Sequence, residues 1–259
     1  MIVAVGGNLD TTADSVILRK LKEGLPETPR AAIIPTASKI PGVMTKQYED
    51  ALEFIGFETI SVIPIAERED TYKEPFLEII READMVVLTG GDQLRLTSTI
   101  GGTPVHDLIK EKAEKDIVMG ISAGATVLSD PMIYNEKGKG GFLKGGVELT
   151  SGFELLKNVA IDSHFLRRGR IPRLIYVVVS NPEVLGVGLD ENTAIFVEDH
   201  IATVCGEYSV IVVDGRHIEK TNIATVREKE PIAATNLCIH MLAHGSVVDL
   251  EKRSVLNLG

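Results

Sequence analysis

The stretch Ile117-Val118-Met119-Gly120-Ile121-Ser122-Ala123-Gly124-Ala125-Thr126-Val127-Leu128 runs from an apolar strand into a helix-compatible segment, with Gly-x-Ser-x-Gly at the junction. A sharp strand-to-helix turn of this kind pushes the serine side chain out over the carboxyl edge of a sheet, in a strained backbone conformation. The small residues Gly120, Ala123 and Gly124 let neighbouring chain and substrate approach closely. A helix N-terminus beneath supplies N–H groups and the positive end of a dipole, which suit a developing oxyanion, and the N–H of Ala123 is a candidate donor. The same five-residue pattern occurs in ordinary glycine-rich turns; its place between strand and helix makes Ser122 a candidate nucleophile.

Upstream, short apolar runs at 2–5, 31–34, 60–65, 85–88 and 117–119 read as strands buried on both faces. Amphipathic stretches at 13–23, 43–55, 71–83 and 105–115 separate them, and Pro104 suits a helix first turn. Strands alternating with helices of this length form βαβ units with parallel strands. Downstream, residues 135–146 are too glycine-rich for an element interior and read as a loop, a candidate flap near the site. Residues 167–179 read as helical in their first part. Runs at 186–189, 194–197, 202–205 and 210–213 read as consecutive strands ended by the Asp214-Gly215 turn, and 237–243 with 247–250 as a closing hairpin. The expected fold class is α/β: one domain over residues 1–259, built on a doubly wound, mostly parallel sheet extended by antiparallel C-terminal strands.

The chain has 259 residues, 44% hydrophobic and 25% charged, with no Trp, so a large aliphatic core is expected. Lys plus Arg number 27 against 37 Asp plus Glu, a net charge of −10 that argues against general affinity for nucleic acid, which needs a basic footprint. An acidic surface draws cationic substrates, although most such surfaces serve solubility. Cys205 and Cys238 stand far apart with no CxxC or Cys/His cluster, so neither a zinc site nor a disulfide framework is indicated, and both read as buried thiols. There is no basic-then-apolar leader and no apolar run near the roughly 20 residues of a membrane span, so a soluble cytoplasmic protein is expected, with no membrane partner. Val5-Gly6-Gly7-Asn8-Leu9-Asp10 is not Gly-x-Gly-x-x-Gly, and no cofactor is expected.

A serine nucleophile needs a base. Of the six histidines, His106 falls on an expected helix, and His200 and His217 near turns between strands. His240 and His244 are four apart and would share a face only on a helix, whereas their stretch reads as a strand, so they make a poor metal pair. His164 differs: in Val159-Ala160-Ile161-Asp162-Ser163-His164 an apolar strand runs out into charged residues, and strand ends are where open α/β sheets carry their sites. The arginines 167, 168, 170 and 173 that follow read either as a solvated face or as a cluster holding substrate carboxylates. Thr89-Gly90-Gly91-Asp92-Gln93, another strand end, offers backbone N–H groups for the second half of an oxyanion hole.

Taken jointly, these segments resemble the cyanophycinases, serine hydrolases related to peptidase E and, in fold, to the class I glutamine amidotransferases with their flavodoxin-like sheet. The resemblance rests on Gly6-Gly7, on Gly90-Gly91-Asp92-Gln93, on the 120–125 elbow, on 162–173 and on Gly188-Leu189-Asp190-Glu191-Asn192-Thr193-Ala194, in that order along most of the chain. It implies Ser122 as nucleophile, His164 as general base and Glu191 as the acid orienting the imidazole, with Gly91 or its neighbour and Ala123 forming the oxyanion hole. The residues alone leave Asp162, Asp190 and Asp130 open for the acid, and Asp130 would suit a peptidase E-like order. The resemblance further implies an aspartate- and arginine-containing polymer as substrate, with Arg168, Arg170 and Arg173 on carboxylates, Asp162 on guanidinium groups and Gln93 as a polar contact. It also suggests a homodimer. Ser163 stands where the family usually has Gln, and the first loop lacks the acidic pair often found after its glycines. An aspartyl or isoaspartyl dipeptidase, and a non-catalytic ligand-binding protein of the same fold, are the alternative readings.

Overall fold

The computed structural model describes residues 1–137 and 142–259. The first half alternates as expected: β1 (Ile2–Val5), α1 (Val16–Glu23), β2 (Arg30–Ile34), α2 (Pro41–Ile55), β3 (Thr59–Val62), α3 (Glu74–Glu82), β4 (Met85–Leu88), α4 (Gln93–Ile100), α5 (Pro104–Lys115), β5 (Ile117–Ile121) and α6 (Ala123–Val127). The second half is strand-rich: β6 (Ser129–Asp130), β7 (Met132–Glu136), β8 (Val147–Thr150), β9 (Leu156–Lys157), β10 (Val159–Asp162), α7 (Ile171–Ser180), β11 (Leu185–Leu189), β12 (Thr193–Glu198), β13 (Ile201–Gly206), β14 (Val210–Asp214), β15 (Cys238–Leu242), β16 (Ser246–Asp249) and β17 (Ser254–Leu258).

Among the described residues, nine strands form one sheet in the order β17-β16-β13-β12-β1-β5-β4-β2-β3, and six form a second in the order β15-β14-β11-β10-β6-β9. From β3 to β1 the large sheet is parallel; β12 joins β1 antiparallel and continues the sheet through antiparallel pairs. The parallel strands are buried on both faces, which is why they read as unbroken apolar runs. Val3, Val5, Val87 and Met119 pack toward α1 and α2, while Ala4, Val86, Leu88 and Val118 share a core with Ile161, Val187 and Val212 of the second sheet. That shared core packs strands of the two sheets into one hydrophobic interior.

Several expectations need correction. The helix α4 was unread because Thr97, Ser98 and Thr99 are weak helix formers; it forms because Asp92 caps it, accepting from the N–H groups of Leu94 and Arg95, and because Leu96 and Ile100 are buried. The helix of 167–179 occupies the later part of that span, not the first: Arg168, Gly169 and Arg170 instead turn back onto His164, Leu166 and Phe165. Residues 237–243 and 247–250 do not form a hairpin. β15 pairs with β14 in the second sheet and β16 with β13 in the first, so the chain crosses between sheets there, and β17 is an additional edge strand. In the 135–146 loop, β7 extends to Glu136, and residues 138–141 lie outside the described residues. Cys205 is buried but Cys238 is half-exposed, with its Sγ 3.4 Å from His240 Nε2.

Candidate active site

Ser122 stands at the carboxyl end of β5, between the ends of β1 and β4. Its backbone is in the left-handed region at φ 56°, held by its own N–H donating to Val5 O (2.9 Å) and its carbonyl accepting from Thr126 N–H (3.0 Å). Strain of this kind persists only where the surroundings over-determine it. The glycines do so by close approach: a Cβ at Gly120 would run into the Gly124 carbonyl, and one at Gly124 into the Leu88 carbonyl.

His164 comes from the other sheet. It follows β10, adopts φ 49°, and is bolted at both sides, its N–H donating to Gly6 O at 2.7 Å and that of Phe165 to Leu189 O at 3.1 Å. Gly7 is at φ 116°, and a side chain there would collide with the imidazole. His164 Nε2 lies 2.8 Å from Ser122 Oγ, and His164 Nδ1 lies 2.7 Å from Oε1 of Glu191, just past the end of β11. Facing a carboxylate, Nδ1 carries the proton and leaves Nε2 to accept from the serine. Burial pushes the His164 pKa down, opposed by the Glu191 hydrogen bond and reinforced by the charge of Arg168. The His164 hydrogen bond lowers the Glu191 pKa, with a further hydrogen bond from Asn8. The ring is therefore neutral and the carboxylate ionised near neutral pH.

Of the other carboxylates, Asp190 accepts from the N–H of Arg167, and Asp130 sits in β6 beside Val159. Asp162 is fully buried and bound by Arg173, whose Nε reaches its Oδ2 at 2.6 Å and whose Nη2 reaches its Oδ1. Arg170 Nη1 adds a contact to Asp162 Oδ1 at 3.2 Å and clamps Ser163 O at 2.6 Å. The expectation that Asp162 meets substrate guanidinium groups thus meets a physical objection, because its carboxylate is already held by two arginines, while Arg173 Nη1 also lies 3.9 Å from Glu136 Oε2. Arg168 is exposed. Gln93 directs its Nε2 to the carbonyls of Ile133 (3.1 Å) and Tyr134 (3.4 Å), which ties α4 to β7.

The N–H groups of Gly91 and Ala123 have no partner among the described residues, whereas that of Asp92 donates to Ala37 O at 2.9 Å. Gly91, at φ 144°, sits where any Cβ would strike that same carbonyl. Ser122, His164, Gly90 and Gly91 open on a cleft of about 600 Å³ whose far wall is made by Ser38, Lys39, Gln47 and Tyr48. Sequence reasoning missed that wall, and Asn8 behind Glu191. Both are far from the elbow along the chain, and no local motif marks them. His106 is structural, its Nδ1 accepting from Gly102 N–H and its Nε2 facing Phe153 O. No described helix is long and apolar enough to cross a membrane.

The sequence profile of peptidase family S51 matches residues 1–205. The chain belongs to that family. It is a hydrolase, a serine-type peptidase. The chain is 33% identical to the cyanophycinase of Synechococcus elongatus over 98% of its own length and 80% of the relative's. It is 34% identical to that of Trichormus variabilis, over 98% and 87%. Among solved structures, a peptidase from an acI-B1 Actinobacterium superposes with a TM-score of 0.71 at 21% identity, covering 96% of each chain. A putative peptidase E protein from Listeria monocytogenes superposes at 0.56 and 16%, over 80% of this chain and 98% of the other. These two likenesses show that the S51 peptidase shares their α/β fold.

Proposed function

We propose that this peptidase hydrolyses cyanophycin, a polyaspartate bearing arginine on its β-carboxyls, to β-Asp-Arg dipeptides through a Ser122–His164–Glu191 triad. The observation that carries the reading is the unbroken hydrogen-bonded run from Ser122 Oγ through both imidazole nitrogens to Glu191, open to the cleft. The names of the relatives support the substrate.

His164 Nε2 takes the Ser122 proton as Oγ attacks the amide carbonyl. The carbonyl oxygen, now negative, receives the N–H groups of Gly91 and Ala123. The imidazolium, stabilised by Glu191, gives its proton to the leaving amine as the C–N bond breaks and the acyl-enzyme forms. Water, deprotonated by the same nitrogen, then attacks the ester and restores Ser122. The reading carries a single-domain, cytoplasmic homodimer, whose assembly sedimentation would measure.

Incubation with purified cyanophycin, read by mass, tests the substrate: β-Asp-Arg is the expected product. Turnover of short aspartyl peptides with none of the polymer would favour the dipeptidase reading. Ser163 and the self-paired Asp162 are the observations on that side. Glu191→Gln is expected to lower kcat about 10²- to 10⁴-fold, because the ring loses its tautomer and the stabilisation of its charge. Near-full activity in that variant would remove Glu191 from the triad.

The base must be neutral, and protonating it stops attack. Because the His164 pKa is lowered, the acid limb of kcat/KM is expected to have its midpoint below the ordinary histidine value of about 6.5. A midpoint at or above that value would mean that another group controls the limb.

A further inference from the structure

We infer that Tyr48 and Lys39, on the α2 side of the cleft, form a subsite for a free carboxylate of the peptide substrate; the inference rests on the hydrolytic reading of Ser122. On the side of His164, Arg170 and Arg173 are both bound to the buried Asp162. The opposite wall carries groups that nothing inside the protein uses.

Tyr48 is 6% exposed and lines the cleft together with Ser122 and His164. Its hydroxyl has no hydrogen-bond partner among the described residues. The fully enclosed side-chain polar atoms without a partner are Thr89 Oγ1 and Asp249 Oδ2. The phenol oxygen is not one of them, and the Tyr48 side chain lines both the cleft and a small apolar pocket shared with Leu52 and Ile121. A buried tyrosine normally satisfies its hydroxyl, and an orphaned one calls for an explanation. Burial also pushes its pKa up to about 12, so it remains a protonated donor at any working pH.

Lys39 lines the same wall, and no ion pair to its ammonium is found among the described residues. Asp92, also on the cleft, has Oδ1 committed to the N–H groups of Leu94 and Arg95. A phenol donor and an unpaired cation on one wall of a cleft suit an anionic acceptor. A carboxylate accepts from both, with charge assistance from the lysine, and an aspartate-rich peptide supplies carboxylates at its side chains and at its terminus.

The test is equilibrium binding to the Ser122→Ala protein, which needs no turnover. The probes are a short aspartyl peptide with a free terminal carboxylate, its terminal amide, and a version with asparagine in place of aspartate. Loss of affinity on either neutralising change is expected, and which change does it identifies the carboxylate held. Adding Tyr48→Phe or Lys39→Met should weaken the preferred acid about tenfold and leave its neutral counterpart unchanged. Three outcomes would overturn the subsite: equal weakening of acid and neutral peptide, a preference that survives both substitutions, or a preference lost only in Arg168→Ala. Failure of all three peptides to bind would overturn it too. Urea unfolding midpoints check that Tyr48→Phe, which keeps the ring, and Lys39→Met remain folded. Separately, a serine-reactive phosphonate on the unsubstituted enzyme reads the nucleophile: no label on Ser122 sinks the hydrolytic reading, while the binding preference stands or falls independently.

Discussion

Ser122→Ala is expected to lower kcat on a cleavable aspartyl peptide about 10⁴- to 10⁶-fold and to abolish phosphonate labelling, with peptide binding retained. The size follows from covalent catalysis. Without Oγ there is no acyl-enzyme, and what remains is the modest help of the oxyanion donors and of substrate positioning. Alanine keeps a Cβ at the φ 56° position, so the strain of the turn and the contacts of Gly120 and Gly124 are the same in both proteins. Circular dichroism and the urea midpoint should therefore change little. Residual activity within tenfold of the parent would mean that another residue carries the nucleophile. A collapse of stability would mean that the serine serves the turn.

Asp162→Asn should act on stability first. Asp162 is 0% exposed and Arg173 8% exposed, and the carboxylate accepts from both Arg173 and Arg170. Removing that charge leaves the buried Arg173 guanidinium with only the more distant Glu136 carboxylate, at 3.9 Å, and breaking a buried pair costs up to about 3–5 kcal/mol. The urea midpoint should fall accordingly with little change in the slope. Combining Asp162→Asn with Arg173→Met should recover part of the loss, because the buried cation is then gone as well. If Asp162→Asn instead leaves the midpoint in place and weakens binding of arginine-bearing peptides alone, Asp162 reaches the substrate and the ion cluster opens when peptide binds. The two outcomes separate a brace under the His164 turn from a specificity residue, which is the point on which resemblance and geometry differ.

The elbow was legible in the chain because its constraints are local. Twelve consecutive residues hold the strand, the small residues of the turn and the start of a helix, and a left-handed serine between glycines is a property of that short piece of backbone. The same holds for β1, β2, β4 and β5, whose burial on both faces leaves continuous apolar runs. α4 escaped notice because a cap at Asp92 and the burial of Leu96 and Ile100 outweigh poor propensities, and burial is a tertiary quantity. The apparent closing hairpin failed for a related reason: β15 and β16 each carry a plausible strand pattern, but which sheet each joins depends on partners far away in sequence.

In the candidate site, the family pattern singled out Ser122, His164 and Glu191, while the residues alone left four carboxylates in play. Their separation comes from three-dimensional placement. β10 and β11 lie parallel in the second sheet and deliver His164 and Glu191 from adjacent carboxyl ends, and β5 delivers Ser122 from the first. Asp162, two residues before His164, faces inward and is paired with arginines that follow it in the chain. Tyr48 is brought to the cleft by the packing of α2 on the large sheet. Backbone conformation is set within a few residues, so the Ser122 turn can be read from the chain. Which charges neutralise each other and which hydroxyls stay unpaired depend on distances between remote segments, and those exist once the two sheets have packed.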